Sequence, residues 1–197
     1  MFELKDVSKS FGEKSVLRGI YLKADGETVA LMGESGSGKT TAMRIIAGLE
    51  KADGGEVIAD GKTAVVFAEP RLFENASVIE NITCVMERTM SKEEKSRLAL
   101  ELLDELLMSD AAYMYPSELS SGMAARVSIA RALASGADNF LLDEPFGALD
   151  DAVREKVTAV AKDRLKGKSV LLITHSEGDA KALASRTLIL SDGKISV

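Results

Sequence analysis

The feature that most restricts the fold of this chain is the stretch GESGSGKTT at residues 33–41. An apolar run at 28–32 precedes it and a helical pattern at 39–48 follows it, which predicts a loop between a β-strand and an α-helix. Its glycines allow successive backbone N–H groups to point into one concavity, where a chain of phosphates can bind. The alternative is a glycine-rich turn that binds nothing. The match in strand, loop and helix favours a phosphate site in an α/β protein.

The spacing G-x-x-x-x-G-K-[ST] assigns two roles within this P-loop. Lys39 is expected to reach the β- and γ-phosphates of a nucleoside triphosphate, and the Thr40 hydroxyl is expected to be one ligand of Mg²⁺. A nucleoside triphosphate and Mg²⁺ are therefore the expected ligands. The candidate nucleotide-binding residues of the loop are Gly33, Glu34, Ser35, Gly36, Ser37, Gly38, Lys39, Thr40 and Thr41.

Two acidic residues, Asp143 and Glu144, follow a second apolar run at 140–142 that predicts a buried strand. In α/β sheets, ligands bind at the carboxyl ends of the strands. We predict that Asp143 binds Mg²⁺, directly or through water, and that Glu144 polarises the water that attacks the γ-phosphate. Acidic residues also form turns and helix caps after strands, so the pair indicates hydrolysis only in combination with the P-loop.

The single histidine, His175, follows a third apolar run at 169–173. At a strand end it could hydrogen-bond a γ-phosphate or the attacking water, which makes it the second candidate catalytic residue after Glu144. A lone histidine is more often structural or solvated. Its position at the strand end is what favours a function here.

A second possible anion site lies in LSSGM, at residues 119–123. Two serines and a glycine open an apolar helical pattern over 121–135, so free N–H groups should point outward at its beginning, and such an end attracts anions. The simpler interpretation is an N-cap in which Ser120 or Ser121 holds the first turn.

Elsewhere, short apolar runs alternate with longer helical patterns, whereas the segment from about 70 to 120 contains only helical patterns. There Ser91 and Glu94 stand at capping-box spacing before a leucine-rich amphipathic pattern. We therefore predict an all-helical insertion into an α/β core. The predicted strands cover 2–7, 17–23, 28–32, 56–59, 63–67, 138–142, 169–173, 187–191 and 194–197, and the predicted helices cover 39–48, 77–88, 91–108, 121–135, 151–165 and 176–185.

Composition restricts the partners and the compartment. The net charge is −6 and there is no basic run, so we expect no nucleic-acid partner. The first residues lack the order of a signal peptide, and no apolar run is long enough to cross a bilayer, so a cytosolic chain is expected. The single cysteine, Cys84, excludes an internal disulfide, and its default interpretation is a buried inert thiol.

The ordered set of motifs resembles the ATP-binding cassette family, the nucleotide-binding subunits of ABC transporters. GESGSGKTT matches the Walker A motif, LSSGM the signature motif, FLLDEP the Walker B motif with its glutamate, GALD the D-loop and TH the H-switch. The resemblance implies one domain over 1–197, with a RecA-like P-loop NTPase core (1–67 and 124–197), an N-terminal antiparallel β part and a helical insertion at about 68–123. It also implies that Phe11 stacks on adenine.

In the resembled family two cassettes dimerise head to tail, and the signature of each covers the ATP held by the other. Hydrolysis then removes the γ-phosphate that both copies hold, and the opening and closing powers a membrane transporter. The resemblance further implies an integral membrane permease bound through the helical insertion, which places the chain at the inner face of the cell membrane. The residues implied to bind ATP in trans are Ser120, Ser121, Gly122, Met123 and Asp150.

The stretches YPSELSSGMAARVSIARALA and VFAEPRLF resemble the cassettes of nitrate, sulfonate and taurine importers, so a bacterial importer is the leading expectation. Ala68 stands where the family commonly has a glutamine that assists Mg²⁺ and the attacking water, which predicts slow hydrolysis with ATP binding retained. Ser121 replaces the first glycine of the signature. Serine is unfavourable there by about 1 kcal/mol if the residue needs a positive φ, and favourable if it is an N-cap.

Two other functions stay open at this point. A nucleotide-binding switch with weak hydrolysis is favoured by Ala68. A P-loop small-molecule kinase would need an acceptor site and an arginine-bearing lid, and the signature helix and Glu144 argue against it.

Overall fold

The computed structural model describes residues 1–196. In this part of the chain, nine strands form two sheets and six α-helices pack around them. The strands are β1 (Phe2–Phe11), β2 (Lys14–Ala24), β3 (Thr28–Met32), β4 (Gly54–Ala59), β5 (Thr63–Val66), β6 (Asn139–Asp143), β7 (Ser169–Ile173), β8 (Arg186–Ser191) and β9 (Lys194–Ser196). The helices are α1 (Lys39–Ile46), α2 (Val78–Thr83), α3 (Lys92–Glu105), α4 (Ser121–Ala134), α5 (Asp151–Arg164) and α6 (Glu177–Leu183).

The larger sheet has the strand order β5-β6-β7-β3-β8-β9 and is parallel except for the last pair. Every residue of β6 and β7 is buried, because apolar side chains pack against both faces of the sheet. Alternate residues of β6 belong to different hydrophobic clusters, as the period of two along a strand requires: Leu141 faces one side and Leu142 the other. The carboxyl ends of β3, β6 and β7 therefore meet at one edge of the sheet.

The smaller sheet is antiparallel, with the order β2-β1-β4. Its apolar face packs on α1, so the helix that follows the P-loop lies between the two sheets and shares one cluster with both. The predicted fold class, an α/β core with an N-terminal antiparallel β part, is confirmed by this topology.

The chain between β5 and β6 contains α2, α3, two short 3-10 turns and α4. The predicted capping box of α3 is present: Glu94 N donates to Ser91 Oγ at 3.2 Å, and Ser91 N donates to Glu94 Oε2 at 2.8 Å. Apolar residues of this segment, such as Leu103 and Val127, belong to the same cluster as Phe140 of β6. The helical segment thus shares its core with one face of the larger sheet.

All nine predicted strands are present, with β1 and β2 longer than predicted because their hairpin continues to Phe11 and Lys14. The predicted end of the last strand, Val197, lies outside the described residues. The helix predicted over 77–88 is wrong in its second half, since α2 ends at Thr83 and Met86 N closes a turn onto Thr83 O at 3.2 Å. Beyond Thr83 the chain turns, and its backbone meets a distant residue instead of continuing the helix. The carbonyl of Val85 accepts from Lys62 at 3.4 Å.

Cys84 is exposed, so the expectation of a buried thiol is wrong. Cys84 is the C-cap of α2. Ile82 and Met86 belong to the hydrophobic cluster that the helical segment shares with the larger sheet, whereas Cys84 lies on the outer side. Within residues 1–196, none of the helices combines the length and the apolar composition that a bilayer-spanning helix needs.

Candidate active site

The P-loop connects β3 to α1 and is shaped by close contacts with distant strands. Gly33 has φ 147°, and a Cβ atom there would lie 2.2 Å from the carbonyl oxygen of Leu190 in β8. Gly38, the N-cap of α1, has φ 110°, and its Cβ atom would lie 2.9 Å from Val16 in β2. Only glycine fits at these two positions. The loop is therefore packed against the β1–β2 hairpin on one side and the β8–β9 hairpin on the other.

Lys39 lies inside the loop. Its Nζ donates hydrogen bonds of 2.8 Å to the carbonyl oxygens of Gly33 and Glu34, and only 6% of the residue is exposed. Burial lowers the pKa of Lys39, while the charges of Glu144 and Asp143 act in the opposite direction. The ammonium group thus faces both acidic residues from within the loop, where a phosphate chain would need a cation.

Thr40 and Asp143, predicted as the Mg²⁺ ligands, are brought together at the edge of the sheet. Thr40 Oγ1 donates to Asp143 Oδ2 at 3.0 Å, which joins the first turn of α1 to the end of β6. Within residues 1–196, no group of three or more histidine, cysteine, aspartate or glutamate side chains could hold a metal ion. A hydroxyl and a carboxylate fit Mg²⁺, which keeps waters and phosphate oxygens as its other ligands.

Glu144 follows β6 in a left-handed conformation, with φ 46°, and its N–H donates to Ile173 O at 2.9 Å. Burial raises the pKa of Glu144, while the charges of His175 and Lys39 lower it and that of Asp143 raises it further. Its Oε1 is a buried oxygen without a hydrogen-bond partner. This oxygen is suited to accept a proton from a water molecule at the same edge.

His175 lies beside Glu144, with 3.6 Å between its Nε2 and Glu144 Oε1. Its side chain is 54% exposed, so it can reach a ligand at the open side of the site. Ser37 Oγ in the P-loop is also buried without a partner. Two unpartnered buried oxygens, one in the loop and one on Glu144, fit a site that is completed by Mg²⁺ and a nucleotide.

A cavity of about 430 Å³ opens beside the loop. It is lined by residues 34–37 of the loop, by 13–16 and 18 of the β1–β2 hairpin, and by 190–193 of the β8–β9 hairpin. Arg18 N donates to Gly193 O at 2.8 Å and joins the two hairpins. Sequence reasoning missed this C-terminal wall, because the DGK turn at 192–194 indicates only a strand connection. Phe11 does not line the cavity; it ends β1, with the residue 50% exposed.

The signature segment begins α4. Ser120 is the N-cap, with φ −70° and ψ 164°, and its Oγ accepts from Met123 N at 3.3 Å. Ser121 is the first helical residue and is absent from the residues with positive φ, so serine introduces no strain at this position. A Cβ atom at Gly122 would lie 3.0 Å from Ala148 O, which shows that the D-loop packs beside the tip of the helix.

Asp150 caps α5 at the end of that D-loop, and its Oδ1 accepts from Val153 N at 3.0 Å. None of the hydrogen bonds of residues 1–196 joins 33–41 to 119–123. The P-loop and the signature tip are thus built separately on one chain.

Arg126, which sequence reasoning missed, holds the signature tip in place. Its guanidinium donates to Gly122 O at 3.3 Å, to Leu106 O at 3.1 Å and to Leu107 O at 2.7 Å. Burial lowers the pKa of Arg126, partly offset by the charge of Asp150. One side chain therefore connects the first turn of α4 to the end of α3.

Ala68 lies exposed just after β5, at the position where the resembled family has glutamine. Nearby, the Arg71 guanidinium lies over the Phe67 ring, with its central carbon 4.0 Å from the ring centroid. A methyl group offers no oxygen to Mg²⁺ or water, so Ala68 cannot supply the contact expected of a glutamine at this position.

The comparisons with known proteins identify the family. Residues 21–147 match the family described as ABC transporter. The chain is 44% identical to the aliphatic sulfonates import ATP-binding protein SsuB of Corynebacterium glutamicum, over 98% of this chain and 81% of that protein. This chain belongs to the ABC transporter family. It is also 39% identical to the glutamine transport ATP-binding protein GlnQ of Escherichia coli, over 99% of this chain and 89% of that protein.

Solved structures agree with the family. The dimeric structure of MJ0796, a bacterial ABC transporter cassette, matches with a TM-score of 0.91 and 33% identity, over 100% of this chain and 97% of that chain. A dimeric post-hydrolysis state of MJ0796 bound to ADP and Pi matches equally well. Membership makes this chain an ATPase with ATP and Mg²⁺ as cofactors, and the kinase alternative is not retained.

Proposed function

We propose that this chain is the ATP-hydrolysing motor subunit of a bacterial importer and that two copies close head to tail around ATP. One observation carries the proposal. The same chain holds a P-loop site, in which Thr40 bonds to Asp143 and Lys39 faces the charges of Asp143 and Glu144, and a separate exposed helix start at Ser120 that takes no part in that site. A second copy supplies the missing partner for each.

The P-loop residues have distinct roles in this proposal. The N–H groups of 33–41 and the Lys39 ammonium bind the phosphates, and Thr40 with Asp143 holds Mg²⁺. When bound, the metal neutralises charge on the transferred phosphoryl group. Glu144 accepts the proton of the attacking water, and His175 binds the γ-phosphate from the open side.

The trans residues supply the second half of the site. The first intrahelical bond of α4 runs from Ala124 N to Ser120 O at 2.9 Å, so the earlier N–H groups of Ser121 and Gly122 have no partner within the helix. With the Ser120 hydroxyl they form an anion site for the γ-phosphate held by the other copy. Met123 packs behind the tip, and Asp150 lies at the adjoining D-loop.

Import is supported by the relatives. SsuB is named for aliphatic sulfonates import and GlnQ for glutamine transport, and both match over nearly the whole chain. Because relatives with different cargo share this cassette, the proposal covers import and assigns cargo recognition to the transporter's other subunits.

In this proposal the permease binds the helical segment, and the chain lies at the inner face of the cell membrane. Phe73 is 60% exposed and Tyr113 is 75% exposed, so this segment offers large apolar side chains to a partner.

The exposed edge at Ala68 favours a second candidate, a nucleotide-binding switch with weak hydrolysis. The decisive difference between the two candidates is turnover. Comparing ATP turnover with and without a detergent-solubilised permease separates a motor that the permease activates from a switch that stays slow in both conditions.

The dimer is tested with a Glu144→Gln variant at saturating Mg²⁺ and ATP, by weighing the particles in solution. We expect particles of twice the mass of one chain, and single chains when ADP replaces ATP. The control is a Glu144→Gln, Gly122→Asp double variant, which should bind ATP through its P-loop and stay single because a carboxylate repels the γ-phosphate. Single particles of Glu144→Gln at high protein concentration, also after Ser121→Gly and Ala68→Gln are added, would show that the dimer proposal is wrong.

A further inference from the structure

Three charged side chains, Lys9, Glu50 and Asp53, form a cluster beside Phe11. Lys9 Nζ lies 2.8 Å from Glu50 Oε1 and 3.3 Å from Asp53 Oδ1, and only 10% of the Lys9 side chain is exposed. The hydrogen bond to Glu50 raises the pKa of Lys9, and the same bond lowers the pKa of Glu50. The cluster is therefore an ionised triad at neutral pH.

The triad is anchored to the backbone on both sides of Lys9. Asp53 Oδ2 accepts from Ser10 N at 2.7 Å, and Asp53 N donates to Ser8 O at 2.9 Å. Glu50 and Asp53 belong to the connection between α1 and β4. The connection between α1 and β4 is thus hydrogen-bonded to β1, the strand that ends in Phe11.

Lys9 and Phe11 lie at the end of β1, where the pairing with β2 shifts its register between Lys9 and Ser10. The Lys9 ammonium lies over the Phe11 ring, 5.0 Å from its centroid, which is within the range of a cation–π interaction. Because Lys9 is buried and ion-paired while Phe11 is half exposed, the cation is the fixed partner and the ring is the one it orients.

We propose that Lys9 is a positioning residue for the nucleobase: the ion-paired ammonium holds the Phe11 ring so that its free face can stack on the base. This inference rests on the proposed function and on the expectation from the family resemblance that Phe11 stacks on adenine. A ring that is oriented before the nucleotide arrives loses less side-chain freedom on binding. The affinity for ligands that lack a base should not depend on Lys9.

The test compares ADP with inorganic pyrophosphate in the presence of Mg²⁺. Both bind the P-loop without a γ-phosphate, and only ADP carries a base. Dissociation constants are measured by calorimetry, with competition against ADP for pyrophosphate. We expect Lys9→Met to weaken ADP binding about two- to fivefold while pyrophosphate binding is unchanged. Lys9→Arg, which keeps a cation, should restore most of the loss.

The matched control is Lys5→Met on the same strand, since Lys5 pairs with Glu56 at 3.2 Å and is not among the cations that lie over Phe11. It should change neither ligand. A Phe11→Ala variant should also weaken ADP relative to pyrophosphate, and adding Lys9→Met to it should have no further effect. That non-additivity separates positioning of the ring from a general loss of stability.

The outcomes are distinguishable. If Phe11→Ala weakens ADP binding and Lys9→Met does not, the positioning role is wrong and base stacking by Phe11 stands. If Phe11→Ala leaves the ratio of ADP to pyrophosphate affinity unchanged, the proposed base site itself is wrong and the role of Lys9 fails with it. Should Lys9→Met not fold, Glu50→Gln removes the nearest ion-pair partner with little change of shape, and a smaller loss in the same direction is expected.

Discussion

The P-loop and the signature tip are two anion-binding regions of one chain, and they are built in different ways. The P-loop is shaped by distant strands: Gly33 lies against β8, Gly38 against β2, and Lys39 is tied inside the loop. The signature tip is capped by its own Ser120, is tied by Arg126 to the end of α3, and is exposed. The first region is a nearly complete pocket, whereas the second is one wall of a pocket.

This difference explains how one chain can bind a nucleotide at its P-loop and still need a second chain to use its signature tip. A site held by tertiary contacts is preorganised and binds its ligand without a partner. A helix start at the surface gains a ligand only when another molecule brings one to it. The comparison therefore predicts that changes on the P-loop side affect the isolated chain, and changes at the tip affect only the pair.

The largest expected effect is on the P-loop side. Glu144→Gln should reduce ATP turnover by about 10²- to 10⁴-fold, because the base that accepts the proton is lost. Steady-state phosphate release measures this. ATP binding by the variant should be retained. Residual turnover above a tenth of the wild-type rate would contradict the assigned base.

The raised pKa of Glu144 adds a pH dependence with a defined sign. A carboxyl group whose pKa is raised by folding destabilises the folded state when it is ionised. Glu144→Gln should therefore melt at a higher temperature than the wild type at neutral pH, and the difference should shrink as the pH falls through the raised pKa. Wild-type turnover should fall over the same interval, as Glu144 becomes protonated.

Ala68 lies outside both regions, and restoring glutamine there tests whether the P-loop side is complete for catalysis. Ala68→Gln should raise single-site turnover at saturating ATP by about 10- to 150-fold, the equivalent of one charge-assisted contact of 1.5–3 kcal/mol in the transition state. ATP affinity should change little. Ala68→Ser is the control for added polarity without reach. Unchanged turnover in Ala68→Gln would show that the missing glutamine does not limit this chain.

A paired measurement of ATP binding separates the two regions directly. Lys39→Met should weaken ATP binding to the single chain by about 10- to 100-fold, because charge-assisted contacts to the phosphates are lost. Ser120→Ala should leave that affinity within about twofold. In the Glu144→Gln background, Ser120→Ala should weaken the dimer about tenfold, since the cap and its hydroxyl are both lost. Equal effects of the two changes on the single chain would break the comparison.

The last prediction concerns stability, and its smallest expected effect is at the signature tip. Gly33→Ala places a methyl group against Leu190 O at a residue with positive φ, so it should reduce the free energy of unfolding by about 2–4 kcal/mol. Gly122→Ala should change it by less than about 1 kcal/mol, because alanine favours the helix and offsets the contact with Ala148. Chemical denaturation measures both. Similar losses at the two glycines would show that the tip is as tightly packed as the loop.

Much of the site was predictable because its motifs are local. The strand–loop–helix around Lys39 and the strand ends at Asp143 and His175 have patterns that a few residues specify. The sequence did not decide the role of Ser121, since either Ser120 or Ser121 could cap the helix. The structure assigns the cap to Ser120.

Other features were missed because they join residues far apart in the chain. The cavity wall at 190–193 and the Arg126 contacts with the end of α3 depend on packing between separate elements. The extended helix over 77–88 and the buried Cys84 were wrong for the same reason. Local propensity does not record which side of α2 meets the core.

The sequence by itself determined the kind of chemistry, an α/β nucleotide site with a lysine, a threonine, two carboxylates and a histidine, because backbone periodicity and motif spacing are properties of neighbouring residues. Only the tertiary structure decided which groups touch: Thr40 with Asp143, Glu144 with His175, and Lys9 with Phe11. Two of these pairs join separate strands or helices, and side chains from separate elements meet only where the packing of sheets and helices brings them together.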